Sequence, residues 1–359
     1  MRCAHVDPFF WKEKKVFLTG HTGFKGSWLS LWLTSMGAKV TGYSLLPNTV
    51  PSLFNVLAID SLIERTLTGD IRDLVALQEA MSEAQPDILI HMAAQPLVRY
   101  SYLNPVETYA TNVMGTVHVL ECARTIESVY STLVITTDKC YENKEWVWGY
   151  RENDAMGGYD PYSNSKGCAE LVTSAYRQSY FSVANSNNKV ASARAGNVIG
   201  GGDWSEDRLI PDAIRAFEAN KALKIRNPLA TRPWQHVLEP LSGYLILSQA
   251  LYEGKSLLAS GWNFGPRDDD NRSVQEVIEL LIKGWEGDAR WEKEGSQQPH
   301  EATLLKLDCS KAREQLGWTP KWSLETAIKN IAQWQKAYQA RENMLEVTLA
   351  QIKQYMSSQ

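Results

Sequence analysis

A tyrosine and a lysine stand four positions apart in the segment Tyr162-Ser163-Asn164-Ser165-Lys166. On a helix both side chains lie on one face, and the lysine cation favours the tyrosinate form of a phenol whose ordinary pKa is about 10. A tyrosinate beside a nicotinamide can take the proton of a sugar or alcohol hydroxyl while hydride leaves the carbon. The same spacing also arises by chance on solvated helix faces, so its meaning depends on the rest of the chain.

An acid and a base-capable residue stand next to each other in Thr136-Thr137-Asp138-Lys139, where an apolar run ends. Facing a nicotinamide, such a pair supplies what the elimination of water requires, a proton donor and a proton acceptor. Both roles need unusual protonation states, a protonated acid and a neutral lysine, and burial favours both. The alternatives are a strand-end cap for Asp138 and a solvated charge for Lys139.

Three glycines in the spacing GxxGxxG follow the first apolar run and open a helical pattern. Glycines permit the tight turn and let backbone N–H groups approach a pyrophosphate at a helix N-terminus. The strand–turn–helix context favours a dinucleotide site over a plain glycine-rich turn. Two bulky residues of this loop, His21 and Lys25, can crowd or brace the pyrophosphate. The candidate cofactor-binding residues of the loop are Gly20, Thr22, Gly23, Phe24, Lys25 and Gly26.

The elements that must position these side chains alternate along the first half of the chain. Short apolar runs predict strands, and longer periodic runs predict helices. Strands are predicted at 16–19, 39–43, 88–92, 133–136 and 190–195, and helices at 26–36, 112–124 and 162–180. This alternation indicates a parallel sheet covered on both faces. The predicted fold class is therefore α/β, a Rossmann-type doubly wound parallel sheet with a smaller, interleaved C-terminal α/β substrate lobe.

Composition argues against several other classes of protein. With 359 residues and 44% hydrophobic content, the chain can build a large core. A net charge of −4 gives no nucleic-acid signal, and no run approaches the roughly 18 apolar residues of a membrane span. The first 15 residues lack a signal-peptide pattern, and no metal site is predicted. The five cysteines form no CxxC or disulfide pattern, which predicts reduced thiols in a cytoplasm.

These motifs together resemble the extended short-chain dehydrogenase/reductase family. Further matches are Gly69-Asp70-Ile71-Arg72-Asp73, His91-Met92-Ala93-Ala94-Gln95, and Asn112 with Gly115-Thr116. The resemblance implies that Asp70 holds the adenine amine, although a helix cap is the alternative for this residue. It also implies a wider cofactor set, which comprises Ile71, Ala93, Ala94, Gln95, Asn112, Tyr162 and Lys166.

The expected cofactor is NAD. Many dinucleotide sites place an acid after the second strand to bind the ribose 2′-OH. The corresponding run here, Gly42-Tyr43-Ser44-Leu45-Leu46, has no acid, and it has no arginine for a 2′-phosphate either.

Within the family, Thr137-Asp138-Lys139 looks like the signature of nucleotide-sugar 4,6-dehydratases in its lysine form. The resemblance implies that Thr137 holds the substrate hydroxyl and Asp138 acts as the acid, while Lys139 is the C5 base or stabilises the enolate. Matches at 158–163, 194–204 and 231–237 narrow the resemblance to the members that act on CDP-glucose, over roughly residues 14 to 320. The residues implied in substrate binding are Arg194, Asn197, Arg208 and Arg232.

Two other functions remain open from the sequence. A nucleotide-sugar 4-epimerase of the same scaffold needs no acid–base pair at 138–139, and a non-catalytic NAD-binding regulator needs no catalytic residues. The family also implies a homodimer or homotetramer. The residues for which a core or an interface role is open are Val113, Val117, Leu120, Leu171, Val172 and Ala175.

The predicted domain organisation follows a change of composition after about Asn197, where glycines, prolines and tryptophans dominate. We predict an NAD-binding Rossmann domain over 14–196 with a return near 231–258. A nucleotide-sugar-binding lobe is predicted over 197–230 and 259–341, and a polar helical tail over 342–359.

Overall fold

The structure is a computed structural model that describes residues 4–183, 186–295 and 303–358. Cys3, the last residue of the predicted tail and the stretch 296–302 of the predicted substrate lobe lie outside the described residues. The strands are β1 (Lys15–Thr19), β2 (Lys39–Ser44), β3 (Arg65–Thr68), β4 (Ile88–His91), β5 (Ser131–Ile135), β6 (Lys189–Ala195), β7 (Val198–Ile199), β8 (Leu223–Ile225), β9 (Thr231–Pro233), β10 (Gln235–His236), β11 (Gly261–Phe264), β12 (Asn271–Ser273) and β13 (Trp291–Lys293).

Helices separate most of these strands, and short 3-10 or π-helical turns extend several of them. The α-helices are α1 (Pro8–Trp11), α2 (Phe24–Ser35), α3 (Leu53–Val56), α4 (Ile59–Leu62), α5 (Leu74–Ala84), α6 (Val98–Leu103), α7 (Pro105–Tyr109), α8 (Gly115–Thr125), α9 (Pro161–Tyr176), α10 (Leu209–Glu218), α11 (Leu238–Tyr252), α12 (Val274–Gly284), α13 (Leu324–Gln339) and α14 (Met344–Ser357). The short turns are Ala110–Met114, Asp138–Cys140, Arg177–Phe181, Ser256–Leu258, Asp268–Asp270 and Ala312–Leu316.

Seven strands form one central sheet in the order β11-β6-β5-β4-β1-β2-β3. Every neighbouring pair in it is parallel. The order runs outward from β1 in both directions, so the crossover helices cover both faces. The predicted Rossmann-type doubly wound α/β sheet is therefore confirmed. In such sheets the carboxyl ends of the strands beside the reversal form the ligand-binding edge.

Successive residues of each strand enter different cores, because side chains alternate across a sheet. Val16 and Leu18 pack on one face with α2 and α11, in a core that also buries Trp28. Phe17 points to the opposite face and packs with α5 and α8. Burial of each such large side chain stabilises the fold by about 1.5–3 kcal/mol.

Two strands of the central sheet were not predicted from the sequence. These two strands form the opposite edges of the sheet. Strand β3 has the polar sequence Arg-Thr-Leu-Thr, and β11 has the short sequence Gly-Trp-Asn-Phe. Neither contains the apolar run that reveals the inner strands. Because β11 belongs to the central sheet although it lies in the predicted 259–341 range, the predicted lobe boundaries stay a proposal.

A third apolar core lies among α10, β8, α12 and α13. The C-terminal helix α14 does more than form a polar tail, because Met344, Ile352 and Tyr355 are buried. The hydroxyl of Tyr355 donates a hydrogen bond to the buried carboxylate of Glu239 over 2.7 Å. Helix α14 is thereby fixed to α11, which packs under β5 and β6.

The structure also bears on membrane-spanning helices and on the state of the cysteines. Across the described ranges, none of the helices combines the length and the apolar character of a bilayer span. Cys122, Cys140, Cys168 and Cys309 are free thiols.

Candidate active site

The carboxyl ends of the central strands open into a cleft of about 730 Å³. The loops after β1, β2, β4, β5 and β6 line it, and the segments before α10 and after β8 close its other side. Most of the predicted site residues meet in this cleft. They are Gly20, Thr22, Gly23, Phe24, Lys25, Gly26, Asp70, Ile71, Ala93, Ala94, Gln95, Thr137, Asp138, Lys139, Tyr162, Asn197, Arg208 and Arg232.

Backbone contacts require glycine at two of the three glycine positions of the GxxGxxG loop. Gly20 has φ +78°, and a Cβ there would lie 2.7 Å from the backbone nitrogen of Ala93. A Cβ on Gly26 would lie 2.1 Å from the carbonyl oxygen of Gly20. Gly23 is the N-cap of α2 and makes no side-chain cap, and a Cβ there would lie 3.5 Å from Gly20 O, an ordinary van der Waals distance. The N–H groups at this helix terminus can therefore receive a diphosphate, so the loop fits a dinucleotide.

The two bulky residues of the loop take different places. The His21 ring packs edge-on against Phe54 with centroids 5.4 Å apart, and a Cβ on Gly42 would lie 2.3 Å from it. Burial lowers the pKa of His21 to about 4. Lys25 instead lines the cleft, with its Nζ 5.9 Å from the Tyr244 ring centroid. Burial lowers the pKa of Lys25 to about 7, and the charges of Lys166 and Arg208 act in the same direction.

Asp70 lies at the cofactor end of the cleft and is paired with Arg72. Its Oδ2 accepts hydrogen bonds from Arg72 Nε over 2.8 Å and from Nη2 over 2.5 Å. Burial opposes ionisation, but hydrogen bonds from the Arg72 side chain and backbone and its charge hold the pKa of Asp70 below its ordinary value. The cap of the following helix is Asp73, so Asp70 is not that cap. Contact of Asp70 with an adenine stays a prediction.

Asn112 does not line the cleft, so a contact with the cofactor stays a prediction. Its Oδ1 accepts from Gln95 N over 2.8 Å, and its Nδ2 donates to Gln95 O over 3.0 Å. The same amide also donates to Ser165 Oγ over 2.9 Å. Asn112 therefore ties the loop after β4 to α9 and positions Gln95, which itself lines the cleft.

The predicted Tyr–Lys pair lies in the first turns of α9. Asp160 caps this helix by accepting from Ser163 N over 2.9 Å, and Pro161 is its first residue. Tyr162 faces the cleft, whereas Lys166 lies behind it and donates from Nζ to Ile135 O over 3.3 Å. Tyr162 therefore lies between the cavity and Lys166, so the lysine charge can act on the phenol although Lys166 does not line the cavity.

The protonation of this pair is set by burial. Burial raises the pKa of Tyr162 to about 12, although the polar side chain of Thr137 acts to lower it. Burial lowers the pKa of Lys166 to about 8, although the carboxylate of Glu170 raises it. The phenol form of Tyr162 therefore dominates at neutral pH.

Asp138 is a buried acid at the end of β5, with 2% of its surface exposed. Its Oδ1 accepts a hydrogen bond from Thr137 Oγ1 over 2.9 Å. Its Oδ2 is buried and has no hydrogen-bond partner among the described residues. Burial raises the pKa of Asp138, against the charges of Lys139 and Arg232. The unpartnered oxygen can therefore carry a proton for a ligand in the cleft.

Arg194 lies outside the cleft, so its part in substrate binding stays a prediction. Its Nη2 lies 2.8 Å from Glu170 Oε2, and its Nη1 donates to Tyr141 Oη over 2.6 Å. Glu170 also accepts from Ser192 Oγ over 2.6 Å. A guanidinium held on these partners is part of the support under β5, β6 and α9. Sequence could have indicated Glu170, which stands four residues after Lys166 on the same helix.

Two arginines implied in substrate binding, Arg208 and Arg232, line the cleft. Arg232 is buried, with 3% of its surface exposed, and donates from Nη1 to Thr231 O over 3.0 Å. Arg208 pairs with Asp203 over 2.9 Å and lines the cleft beside Tyr162. Burial opposes the charge of Arg208, but Asp203 raises its pKa overall.

An ion-pair network in the same cleft has no signal in the sequence. Arg99 Nη1 lies 3.0 Å from Asp207 Oδ1, and Arg226 Nη2 lies 3.8 Å from the same oxygen. These residues come from three separate segments, and Arg99 and Asp207 are 108 positions apart. Only the folded chain brings them together.

Comparison with known proteins agrees with this architecture. Residues 17–331 match the family model described as GDP-mannose 4,6 dehydratase. The CDP-glucose 4,6-dehydratase of Salmonella typhimurium is 56% identical over 98% of this chain and 99% of its own length. The dTDP-glucose 4,6-dehydratase of Escherichia coli is 25% identical over 89% of this chain and 93% of its own length.

A solved structure shares the fold. The dTDP-glucose 4,6-dehydratase of Streptomyces venezuelae, solved with NAD bound, superposes with a TM-score of 0.77 at 21% identity. It covers 92% of this chain and 99% of its own chain. From the span of the family match and the identity to the Salmonella relative, the chain belongs to the GDP-mannose 4,6-dehydratase family of nucleotide-sugar dehydratases.

Proposed function

We propose that this chain is an NAD-dependent hydro-lyase that converts CDP-D-glucose to CDP-4-keto-6-deoxy-D-glucose and water. The 56% identity to a CDP-glucose 4,6-dehydratase over nearly the whole chain supports the choice of nucleotide. The observation that carries the reaction type is the buried Asp138 beside Thr137, with a free oxygen and a raised pKa. An epimerase does not need this acid, whereas an elimination does.

NAD fits the glycine loop and would accept hydride from C4 and return it to C6 of the sugar. Gly23 leaves the N-terminus of α2 open for its diphosphate, and the loop at Ala93 lies against Gly20. Ser44 and Thr22, whose hydroxyl oxygens are 2.9 Å apart, line the cleft at the end of β2. These neutral hydroxyls occupy the region where many dinucleotide sites carry a ribose-binding acid.

Tyr162 is proposed to remove the proton from the sugar 4-OH while Thr137 orients that hydroxyl. Both side chains line the cleft, and the polar side chain of Thr137 acts to lower the pKa of the phenol, which supports this arrangement. Lys166, held on Ile135 O behind the tyrosine, favours the same ionisation by its charge. The resulting 4-ketone makes the C5 proton removable as an enolate is formed.

Asp138 and Lys139 are proposed to carry out the elimination. Lys139 lines the cleft and takes the C5 proton or stabilises the enolate. Asp138, protonated through its burial, donates a proton to the departing C6 oxygen. The C6–O bond breaks, water leaves, and C5 regains a proton when hydride returns to C6. Asn197, Arg208 and Arg232 are proposed to bind the diphosphate of the substrate.

The proposed assembly is a homodimer or homotetramer of a cytoplasmic enzyme. The sequence residues considered for an interface divide in the structure, because Leu120 is fully buried in the core whereas Leu171 is 59% exposed. On neighbouring helices, Leu103 is 81% and Val106 is 82% exposed. Light scattering of wild type and Leu171→Glu tests this, since loss of the oligomer is expected only if α9 lies in the interface.

The function is tested by incubating the protein with NAD and CDP-, dTDP-, UDP- or GDP-linked hexoses. Mass spectrometry should detect the loss of one water from CDP-glucose, and the 4-keto product should absorb ultraviolet light in alkali. Formation of an isomer of unchanged mass would instead indicate an epimerase. Absence of turnover with every nucleotide sugar would overturn the proposal in favour of a binding protein.

A further inference from the structure

An ion pair joins two residues that line the cleft. Arg99 stands in the first turn of α6, after the central strand β4, and Asp207 stands in the loop before α10. Their charged atoms are 3.0 Å apart, and both residues line the cleft. Arg226, which directly follows β8, approaches the same carboxylate oxygen at 3.8 Å. One carboxylate thus lies between two guanidinium groups from opposite sides of the cavity.

Asp207 is partly exposed to solvent, so another anion can replace it at the two arginines. It adopts φ +58°, a left-handed conformation that aspartate and asparagine tolerate better than most residues. The side chains of Arg99, Asp207 and Arg226 are 39%, 34% and 28% exposed, so water competes for their contacts. Asp203, in the same loop, is different: it is 5% exposed, pairs with Arg208 and accepts a backbone bond from Ser205.

We propose that Arg99 and Arg226 are ligands for a diphosphate ester, and that Asp207 occupies them until this ligand arrives. Two guanidinium groups that converge on one carboxylate can also bind phosphate oxygens, because both anions accept paired N–H bonds. A diphosphate carries more charge than one carboxylate and displaces it. Asp207 then sets the affinity of the cleft by competing for the same donors.

The nucleotide sugar is the expected source of this diphosphate, an assignment that rests on the proposed function. The cofactor diphosphate already has the open N-terminus of α2 at Gly23. Arg226 instead lies on the other side of the cleft, in the segment that leads to Arg232 and Trp234. Binding of the substrate would therefore release Asp207 from both arginines.

Asp207→Asn tests the proposal, because asparagine retains the backbone conformation and removes the competing charge. The Kd for CDP, measured by calorimetry at low salt, should fall about threefold to fivefold, as for loss of a partly exposed ion pair. Glu206→Gln is the matched control, since this exposed neighbour has no ion pair in the described part of the chain. Arg99→Ala and Arg226→Ala should weaken CDP binding and abolish the gain from Asp207→Asn.

Each outcome decides the proposal. Equal CDP affinity for Asp207→Asn and Glu206→Gln would overturn the competition, and weaker binding by Asp207→Asn would make Asp207 itself a substrate ligand. A gain for ADP-ribose without a gain for CDP would support the competition and assign the arginines to the cofactor. Failure of the wild-type protein to bind CDP at all would count against the proposed function instead.

Discussion

Arg194 and Glu170 form an ion pair of 2.8 Å in which each side chain is only 4% exposed. Burial acts to raise the pKa of Glu170, but the Arg194 charge and hydrogen bonds from Arg194, Ser192 and Thr136 hold it below its ordinary value. The pair joins β6 to α9, the helix that carries Tyr162 and Lys166. Arg194, first considered as a substrate ligand, therefore stabilises the position of α9.

Arg194→Ala is expected to reduce the free energy of unfolding by about 3–5 kcal/mol, because it leaves the Glu170 charge buried without its partner. Urea denaturation at fixed protein concentration measures this change. Arg313→Ala, in the exposed pair with Glu314, is the control and should cost less than about 1 kcal/mol. An Arg194→Ala protein of normal stability but with a raised KM would return Arg194 to the substrate site.

Tyr162→Phe is expected to lower kcat by about 10²–10⁴, the usual contribution of a positioned acid–base group. Its diagnostic effect is on the first half-reaction, since C4 cannot release hydride while its hydroxyl keeps the proton. Absorbance of reduced nicotinamide after mixing with substrate reports this step. Tyr180→Phe, at an exposed position beyond the end of α9, should behave like wild type. Normal cofactor reduction by Tyr162→Phe would contradict the proposed mechanism.

Lys139→Ala separates the two roles left open for this residue. If Lys139 removes the C5 proton, the variant should lose incorporation of solvent deuterium at C5, while cofactor reduction at C4 continues. Mass spectrometry and proton NMR of the recovered sugar measure both. Lys144→Ala changes an exposed lysine five residues later and should leave exchange intact. Retained exchange in Lys139→Ala would leave only stabilisation of the enolate.

The parts of the site that the sequence predicted are those with local signals. The strand–glycine–helix segment around Gly20 and the four-residue spacing of Tyr162 and Lys166 depend on neighbours in the chain. The placement of Arg194 and Asn112 could not be predicted, because it depends on which face of an element turns to the cleft. The contact between Arg99 and Asp207 joins segments 108 positions apart and has no local pattern.

Protonation was predictable only in part for the same reason. The spacing predicted that Lys166 favours tyrosinate, but burial raises the pKa of Tyr162 to about 12, and the cation that acts to lower it is Arg208. The burial of Tyr162 depends on how the folded chain packs around it, and the spacing of two residues does not predict that packing. For Asp138, whose pKa burial raises, the expected direction is confirmed.

Lys25 is expected to weaken binding of the oxidised cofactor, whose nicotinamide is cationic. Its pKa is lowered to about 7, so the lysine is charged below that pH and largely neutral above it. The affinity of wild type for NAD⁺ should therefore rise as the pH increases through 7. Lys25→Met should bind NAD⁺ about tenfold more tightly at pH 6 and lose this pH dependence, because one repulsive charge is removed.

Fluorescence titration with NAD⁺ and NADH between pH 6 and 8 measures the effect of Lys25 without turnover. NADH has a neutral nicotinamide, so Lys25→Met should change its affinity much less than that of NAD⁺. Lys14→Met is the control, because Lys14 packs over Tyr252, 4.8 Å from the ring centroid, and does not line the cleft. If Lys25→Met weakened both forms equally, Lys25 would be a ligand of the cofactor diphosphate, and the argument from charge repulsion would be wrong.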